Sequence, residues 1–236
     1  MIGVIVPAHD EADHIGGTLA ALALAARHPG LAGEPVELLV VLDSCADATA
    51  DIVRTHGVAS LSIAARNVGR ARAAGASALL ARGARWLAFT DADTRVAPDW
   101  LVRQLELDAD AVCGCIGVAD WSAHGDQAGF IRDHFAVTYH EMDGHRHIHG
   151  ANLGVSAEAY ERAGGFQPLA CSEDVALVEA LQASGARIAW SAAPRVTTSA
   201  RADARARGGF GDTLLAVIAA GLAATAVATT VQPAID

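Results

Sequence analysis

The sequence predicts an α/β fold built on a doubly wound, mostly parallel sheet. Three observations predict it. Short apolar runs, Ile2–Pro7, Val36–Leu42 and Trp86–Thr90, carry no alternation, as expected of strands covered on both faces. Each run ends abruptly in polar groups: His9-Asp10-Glu11, Asp43-Ser44 and Asp91-Ala92-Asp93. The segments between them are long enough for crossover helices, and right-handed crossovers bring the strand ends onto one rim. Open sheets of this kind bind ligands beyond the carboxyl ends of their strands.

The elements follow in order. The first strand ends at Pro7, which cannot donate to a ladder. An acidic turn, Ala8 to Asp13, leads into a helix from about 13 to 27, and a Pro/Gly-rich loop at 29–35 precedes the second strand. Residues 50–56 read as a helix and Leu61–Ile63 as a short strand. Asn67-Val68-Gly69 opens an alanine-rich helix to about 82, with Arg66, Arg70 and Arg72 on its first turns. After the central strand, Ala111–Val118 reads as a strand and 126–141 as a helix expected to shape an acceptor pocket. A helix at 174–184 and a last strand, Arg187–Trp190, come next, followed by a basic stretch from Pro194 to Arg201. Leu214–Val231 carries no charge and is mostly alanine with threonines, so packing on the domain or on a second copy is expected, ahead of membrane contact.

Composition bounds the function. The chain has 236 residues, 52% of them hydrophobic, which excludes a disordered chain and suits one α/β domain. A net charge of −10 argues against a nucleic-acid surface. The arginines cluster near 66–85 and 195–207, so a local anionic ligand remains open. Cys45, Cys113, Cys115 and Cys171 form no CxxC pair and read as small buried hydrophobes of a reducing compartment. The first strand starts at once, so no signal peptide and a cytoplasmic location are expected, peripheral association with a membrane's inner face remaining open.

Asp91 and Asp93 offer two hard oxygen donors at i and i+2, suited to Mg²⁺ or Mn²⁺ shared with a diphosphate; the bland alternative is a cap or turn. The other rim carboxylates have the same alternative, since acidic residues complement a first helical turn.

The ordered set of motifs resembles the family 2 glycosyltransferases. Val6-Pro7-Ala8-His9-Asp10-Glu11 is similar to their "PAYNE" opening, and Val41 to Thr49 to their "VDDGSTDGT". Asn67-Val68-Gly69-Arg70-Ala71 resembles "NxGxA", and Asp91-Ala92-Asp93 the DxD motif. Gly150-Ala151-Asn152 with Gly164-Gly165-Phe166 resembles "GxN…GGF", and Ser172 to Leu177 resembles "EDxDL". The motifs run in family order over residues 2 to about 201. The resemblance implies a GT-A fold over 1–211, with a nucleotide-sugar half (1–110), an acceptor half (111–211) and a C-terminal apolar helix (212–236). It implies inverting transfer of a sugar from a UDP- or GDP-type donor to a hydroxyl acceptor.

The roles follow residue by residue. Pro7, Ala8, Asp10, Glu11, Asp43, Asn67, Arg72, Asp91, Ala92, Asp93 and Arg201 are expected on the donor, and Asp91 and Asp93 on the metal. Gly150, Asn152 and His149 are expected on the acceptor side. Asp174, at a helix start, is the expected general base, with Glu173 orienting its neighbours or binding a sugar hydroxyl. The sequence also departs from the pattern: Leu42, Ser44 and Ala176 replace an Asp, a Gly and an acidic residue of the family motifs. Asp43 is therefore left to accept the ring N–H of uracil, thymine or guanine. Thr198, Ser199 and Arg201 stand where relatives often place a histidine, and are expected either to bind phosphate oxygens or to form a solvated loop. The 205–211 stretch reads as a glycine-rich lid. His140, His145, His147 and His149 admit a structural zinc, acceptor hydrogen bonding by His147 or His149, or a solvated loop. Two rival functions remain: a nucleotidyltransferase, which would want a basic glycine-rich phosphate loop where Pro7–Glu11 is acidic, and a non-catalytic nucleotide-binding module.

Overall fold

In the computed structural model the described residues are 1–201 and 209–230, the last ten as backbone only. The strands are β1 (Ile2–Ala8), β2 (Val36–Asp43), β3 (Ala59–Ile63), β4 (Trp86–Phe89), β5 (Arg95–Val96), β6 (Ala111–Val118), β7 (Leu153–Ser156) and β8 (Ile188–Thr198). The helices are α1 (Ile15–Ala25), α2 (Thr49–Thr55), α3 (Val68–Leu80), α4 (Trp100–Glu106), α5 (Ala128–Thr138), α6 (Ala157–Arg162), α7 (Glu173–Ala183) and α8 (Phe210–Thr230).

All strands join one sheet, ordered β3-β2-β1-β4-β7-β6-β8-β5. The pairs β3–β2, β2–β1, β1–β4 and β6–β8 are parallel, whereas β7 runs antiparallel to both β4 and β6, and β5 to β8. Ile5, Val41, Leu87, Phe89, Leu153 and Val155 are almost wholly buried, as strands covered on both faces require. Helix α3 lies close on this sheet because Gly75 sits against Ile5 and Val41, where a side chain would collide.

Several expectations are corrected. The last strand does not stop at Trp190 but continues through Pro194 to Thr198. A bulge between Gly114 and Cys115 absorbs the irregularity, with the register passing from Gly114↔Ser191 to Cys115↔Arg195. The middle helix is shorter than 126–141, because a 3₁₀ segment, Ser122–Gln127, precedes α5 and Gly125 breaks it at φ 52°. Cys113 and Cys115 are buried, but Cys45 is half-buried and Cys171 exposed.

The chain forms two compact units: Met1–Ala119 with Glu141–Ser199, and Asp120–His140 with the described residues from Ala200 onward. The first holds the whole sheet. In the second, Phe135 stacks on Tyr139 at 4.5 Å and meets Trp121 at 5.4 Å. Among the described residues no helix is long and apolar enough to cross a membrane. Most of the 205–211 stretch lies outside the described residues.

Candidate active site

The ends of β1 and β2 form a knot of carboxylates bound to backbone. Pro7 and Ala8 close β1 opposite Val41 and Leu42. Asp10, at φ 53°, accepts the N–H groups of Ala46 and Asp47 through one oxygen, at 2.7 and 3.2 Å. The Ala46 bond above all holds its pKa below the usual carboxylate value, against some desolvation. Asp47 accepts from Ala12, Thr49 N–H and the Thr49 hydroxyl, and that hydroxyl in turn accepts the Glu11 N–H at 2.8 Å. His9 Nδ1 donates to the Asp43 carbonyl at 2.7 Å.

Asp43 departs from expectation. Its carboxylate accepts the N–H groups of Ala65, Arg66 and Asn67, each at 2.8 Å, and the Ser44 hydroxyl at 3.1 Å. Oδ1 takes three of these donors and Oδ2 only the Asn67 N–H, so most of the roughly four acceptor positions of a carboxylate are taken up by its own chain. It holds the turn that launches α3, not the α2 helix. Burial alone would raise its pKa; the backbone donors outweigh that and lower it.

Asn67 is likewise engaged at both ends. Its Oδ1 accepts the Arg70 N–H at 2.8 Å, capping α3, and its Nδ2 donates to the Pro168 carbonyl at 3.1 Å. Gly69 N–H donates to Leu169 O at 3.1 Å, and any side chain at 69 would overlap the Gln167 carbonyl. The expected donor contact of Asn67 gives way to a clip that fixes the loop before α7 on the start of α3.

The loop after β4 carries Asp91-Ala92-Asp93. Ala92 is buried, and its carbonyl accepts the Thr18 hydroxyl of α1 at 2.8 Å. Thr94 bonds Thr198 at 2.8 Å, which ties this loop to the end of β8 and engages a hydroxyl expected on phosphate. Asp91 and Asp93 are half-buried.

Arg72 joins this loop to α7. The buried stripe of α3 is Gly69, Ala71, Arg72, Gly75, Ala76 and Leu79, so a charged residue occupies a core-facing position. Its Nη2 donates to Asp91 Oδ1 at 2.5 Å and its Nη1 to Glu173 Oε1. The Phe166 ring lies 5.8 Å from the guanidinium carbon. Gly150 backbone packs so closely on the guanidinium that a side chain there would overlap it. The Gly150 N–H donates to Asp174 Oδ2 at 2.7 Å, and Val175 N–H to Asp174 Oδ1 at 2.8 Å. Beside them, burial pushes the His149 imidazole down to about 4 although the Asp174 charge opposes it, so the ring is neutral at physiological pH. Burial, reinforced by Asp174, pushes the Cys113 thiol up to about 12.

Asn152 is not an acceptor-side group. It is wholly buried, its Oδ1 accepting from Trp100 Nε1 at 2.8 Å and its amide donating to the carbonyls of Cys115 and Pro194. Gly114 leaves the space for it. Leaving these bulge carbonyls unpaired in the core would cost about 1–3 kcal/mol each, which explains an amide at this point.

These contacts gather Asp91, Glu173 and the Gly150 backbone around one guanidinium, with Asp174 held by the Gly150 N–H. The sequence model of glycosyl transferase family 2 matches residues 3–164. The chain belongs to glycosyltransferase family 2. No curated protein matches. Among solved structures, *S. aureus* TarS 1-349 in complex with UDP-GlcNAc superposes with TM-score 0.62 and 16% identity, over 93% of this chain and 65% of that one. The *Pyrobaculum calidifontis* mannosyltransferase PcManGT with GDP-Man and Mn²⁺ gives 0.59 and 21%, over 83% and 56%. *Mycobacterium tuberculosis* glucosyl-3-phosphoglycerate synthase with Mn²⁺, UDP and glucosyl-3-phosphoglycerate gives 0.57 and 16%, over 84% and 71%. The fold is thus GT-A, and this chain spans less than two thirds of the TarS and mannosyltransferase chains.

The motif residues fall in the loops after β1, β2 and β4 and at the starts of α3 and α7, but the motifs do not give every partner. Arg72 and Glu173 are 101 residues apart, and no motif spacing connects them. Arg72, expected on the donor, is instead bound to Asp91 and Glu173, an arrangement signalled by its place on the buried stripe of α3. Arg201 belongs to the other unit. Of the histidines, His145, His147 and His149 stack in series, with centroids 5.4 and 6.2 Å apart. Among the described residues no three His, Cys, Asp or Glu gather as a metal cage. Asp91 and Asp93 still fit Mg²⁺ or Mn²⁺, which bind through one or two carboxylates plus substrate phosphates.

Proposed function

We propose that this chain transfers a sugar from a UDP- or GDP-type donor to a hydroxyl acceptor with inversion, using Asp174 as general base and a divalent cation on Asp93 and Asp91. The observation that carries the reading is the convergence of the DxD loop and the start of α7 on Arg72, which brings donor carboxylates and candidate base to one place. The nucleotide-sugar complexes of TarS and PcManGT support a donor of this class, and the Mn²⁺ of PcManGT and the phosphoglycerate synthase supports the cation.

Each residue then has a task. Asp93, with the Asp91 oxygen not held by Arg72, would bind the cation, which neutralises charge developing on the departing diphosphate. Asp174 is aimed by the Gly150 and Val175 N–H groups, and each oxygen keeps a second lone pair for the acceptor proton. Proton removal as the hydroxyl attacks C1 on the face opposite the diphosphate gives inversion. Neutral His149 beside Asp174 can hydrogen-bond the acceptor without competing for the proton. Glu173 is buried against Arg72 and so acts on neighbours rather than on a sugar. The Pro7–Glu11 loop holds no lysine or arginine, where a nucleotidyltransferase would want a basic phosphate loop.

The test is a thermal-shift panel of UDP, GDP, dTDP and CDP with and without Mn²⁺. A ligand bound only by the folded state raises its apparent stability. A Mn²⁺-dependent shift with UDP or GDP is expected; no shift with any nucleotide would refute the donor class.

A further inference from the structure

We propose that Arg72 is a positioning residue that couples the donor carboxylates to the base helix, an inference that rests on the functional reading above. Arg72 divides one positive charge between Asp91 of the DxD loop and Glu173, the first residue of α7. Its side chain is 4% exposed and that of Glu173 5%, so water screens little of this exchange. Asp91 is different: its side chain is 37% exposed and reachable from solvent. The Phe166 ring and the Gly150 backbone confine the guanidinium. Gly150 in turn holds Asp174. One rigid planar fork therefore touches the donor loop, the base helix and the backbone that aims the base.

The consequence is reciprocal. A cation arriving at Asp91 weakens the hold of Asp91 on Arg72, which then pairs more fully with Glu173 and seats the start of α7. Coupling of this kind must run both ways. Removing the Glu173 charge leaves Arg72 wholly on Asp91, where it competes with the cation. Glu173 touches no donor in this account, so its effect on cation binding is either the coupling or the plain field of its charge, which the Arg72 background separates. Lysine is not equivalent at 72, because an ammonium lacks the planar fork that serves two carboxylates at once.

The experiment measures Mn²⁺ affinity, by electron paramagnetic resonance, in the presence of the nucleotide that shifts the wild-type protein most. It uses four proteins: wild type, Glu173→Gln, Arg72→Lys and the double variant, each with its melting temperature. Glu173→Gln is expected to weaken Mn²⁺ binding about fivefold in the wild-type background and less than twofold in Arg72→Lys. Hydrogen exchange at the first turn of α7 should slow on adding Mn²⁺ to wild type and not to Arg72→Lys. An equal loss in both backgrounds would mean a simple field effect and overturn the coupling, as would no loss in either. Nucleotide binding that ignores Mn²⁺ overturns the coupling and leaves the transferase reading standing. A wild-type protein that binds no nucleoside diphosphate overturns both. If Arg72→Lys fails to fold, the wild-type exchange data decide, and no slowing at the first turn of α7 on adding Mn²⁺ overturns the coupling.

Discussion

Two acidic clusters sit on this rim, and they are built on opposite principles. At the ends of β1 and β2, Asp10, Asp43 and Asp47 bind backbone N–H groups of neighbouring loops. Around Arg72, the carboxylates of Asp91 and Glu173 share a guanidinium, and Asp174 is aimed by two backbone donors. The first cluster resembles capping, in which charge replaces missing hydrogen-bond partners of turns. The second holds negative charge close together with one cation to divide. On the proposed reading, acidic residues are structural in one place and chemical in the other.

The largest expected effect tests the chemical cluster. Asp174→Asn keeps the shape and removes the basicity, so turnover should fall roughly 10²–10⁴-fold, with donor binding little changed and the melting temperature lowered only by the loss of one backbone hydrogen bond. Near-normal turnover would move the base elsewhere, and Glu173 would be examined first.

The next tests the structural cluster. Asp43→Ala leaves three backbone N–H groups without their acceptor, and stability should fall by about 3 kcal/mol. The nucleotide preference of the surviving folded protein should not move. A changed preference with unaltered stability would return Asp43 to base recognition. Denaturant unfolding and the nucleotide panel on one sample separate the outcomes.

The smallest effect concerns pH. The folded-state pKa of His149 is depressed to about 4, against about 6.5 when unfolded. The unfolded chain therefore gains a proton first as pH falls, and stability present above about 6.5 is lost progressively toward about 4. The partial exposure of His149 keeps the effect modest. His149→Gln should flatten that part of the stability profile; an identical slope would mean the ring is not held neutral.

The same contrast explains what the sequence could reveal. Strands β1, β2 and β4 were legible because unbroken apolar runs end at Pro7, Asp43 and Asp91. β5 and β7 were not, being two and four residues long and made by pairing with β8, β4 and β6 far away in sequence. The continuation of β8 past Trp190 was hidden by Pro194, a residue that ordinarily ends a strand but here sits within a bulge. Motif matching singled out Asp43, Asn67 and Asn152, each of which is hydrogen-bonded within the chain. It could not say that their hydrogen-bonding groups point back into the protein, since that depends on the 65–67 turn, the 167–169 loop and the bulge carbonyls.

The central claim is that the rim carboxylates near Arg72, unlike those near Asp43, face a ligand. Its most direct test is the Mn²⁺-dependent affinity of folded Asp93→Ala for the preferred nucleoside diphosphate, measured by titration calorimetry. The account predicts that Mn²⁺ no longer strengthens binding while the melting temperature stays within a few degrees of wild type. Unchanged Mn²⁺-dependent affinity in that folded variant would contradict it.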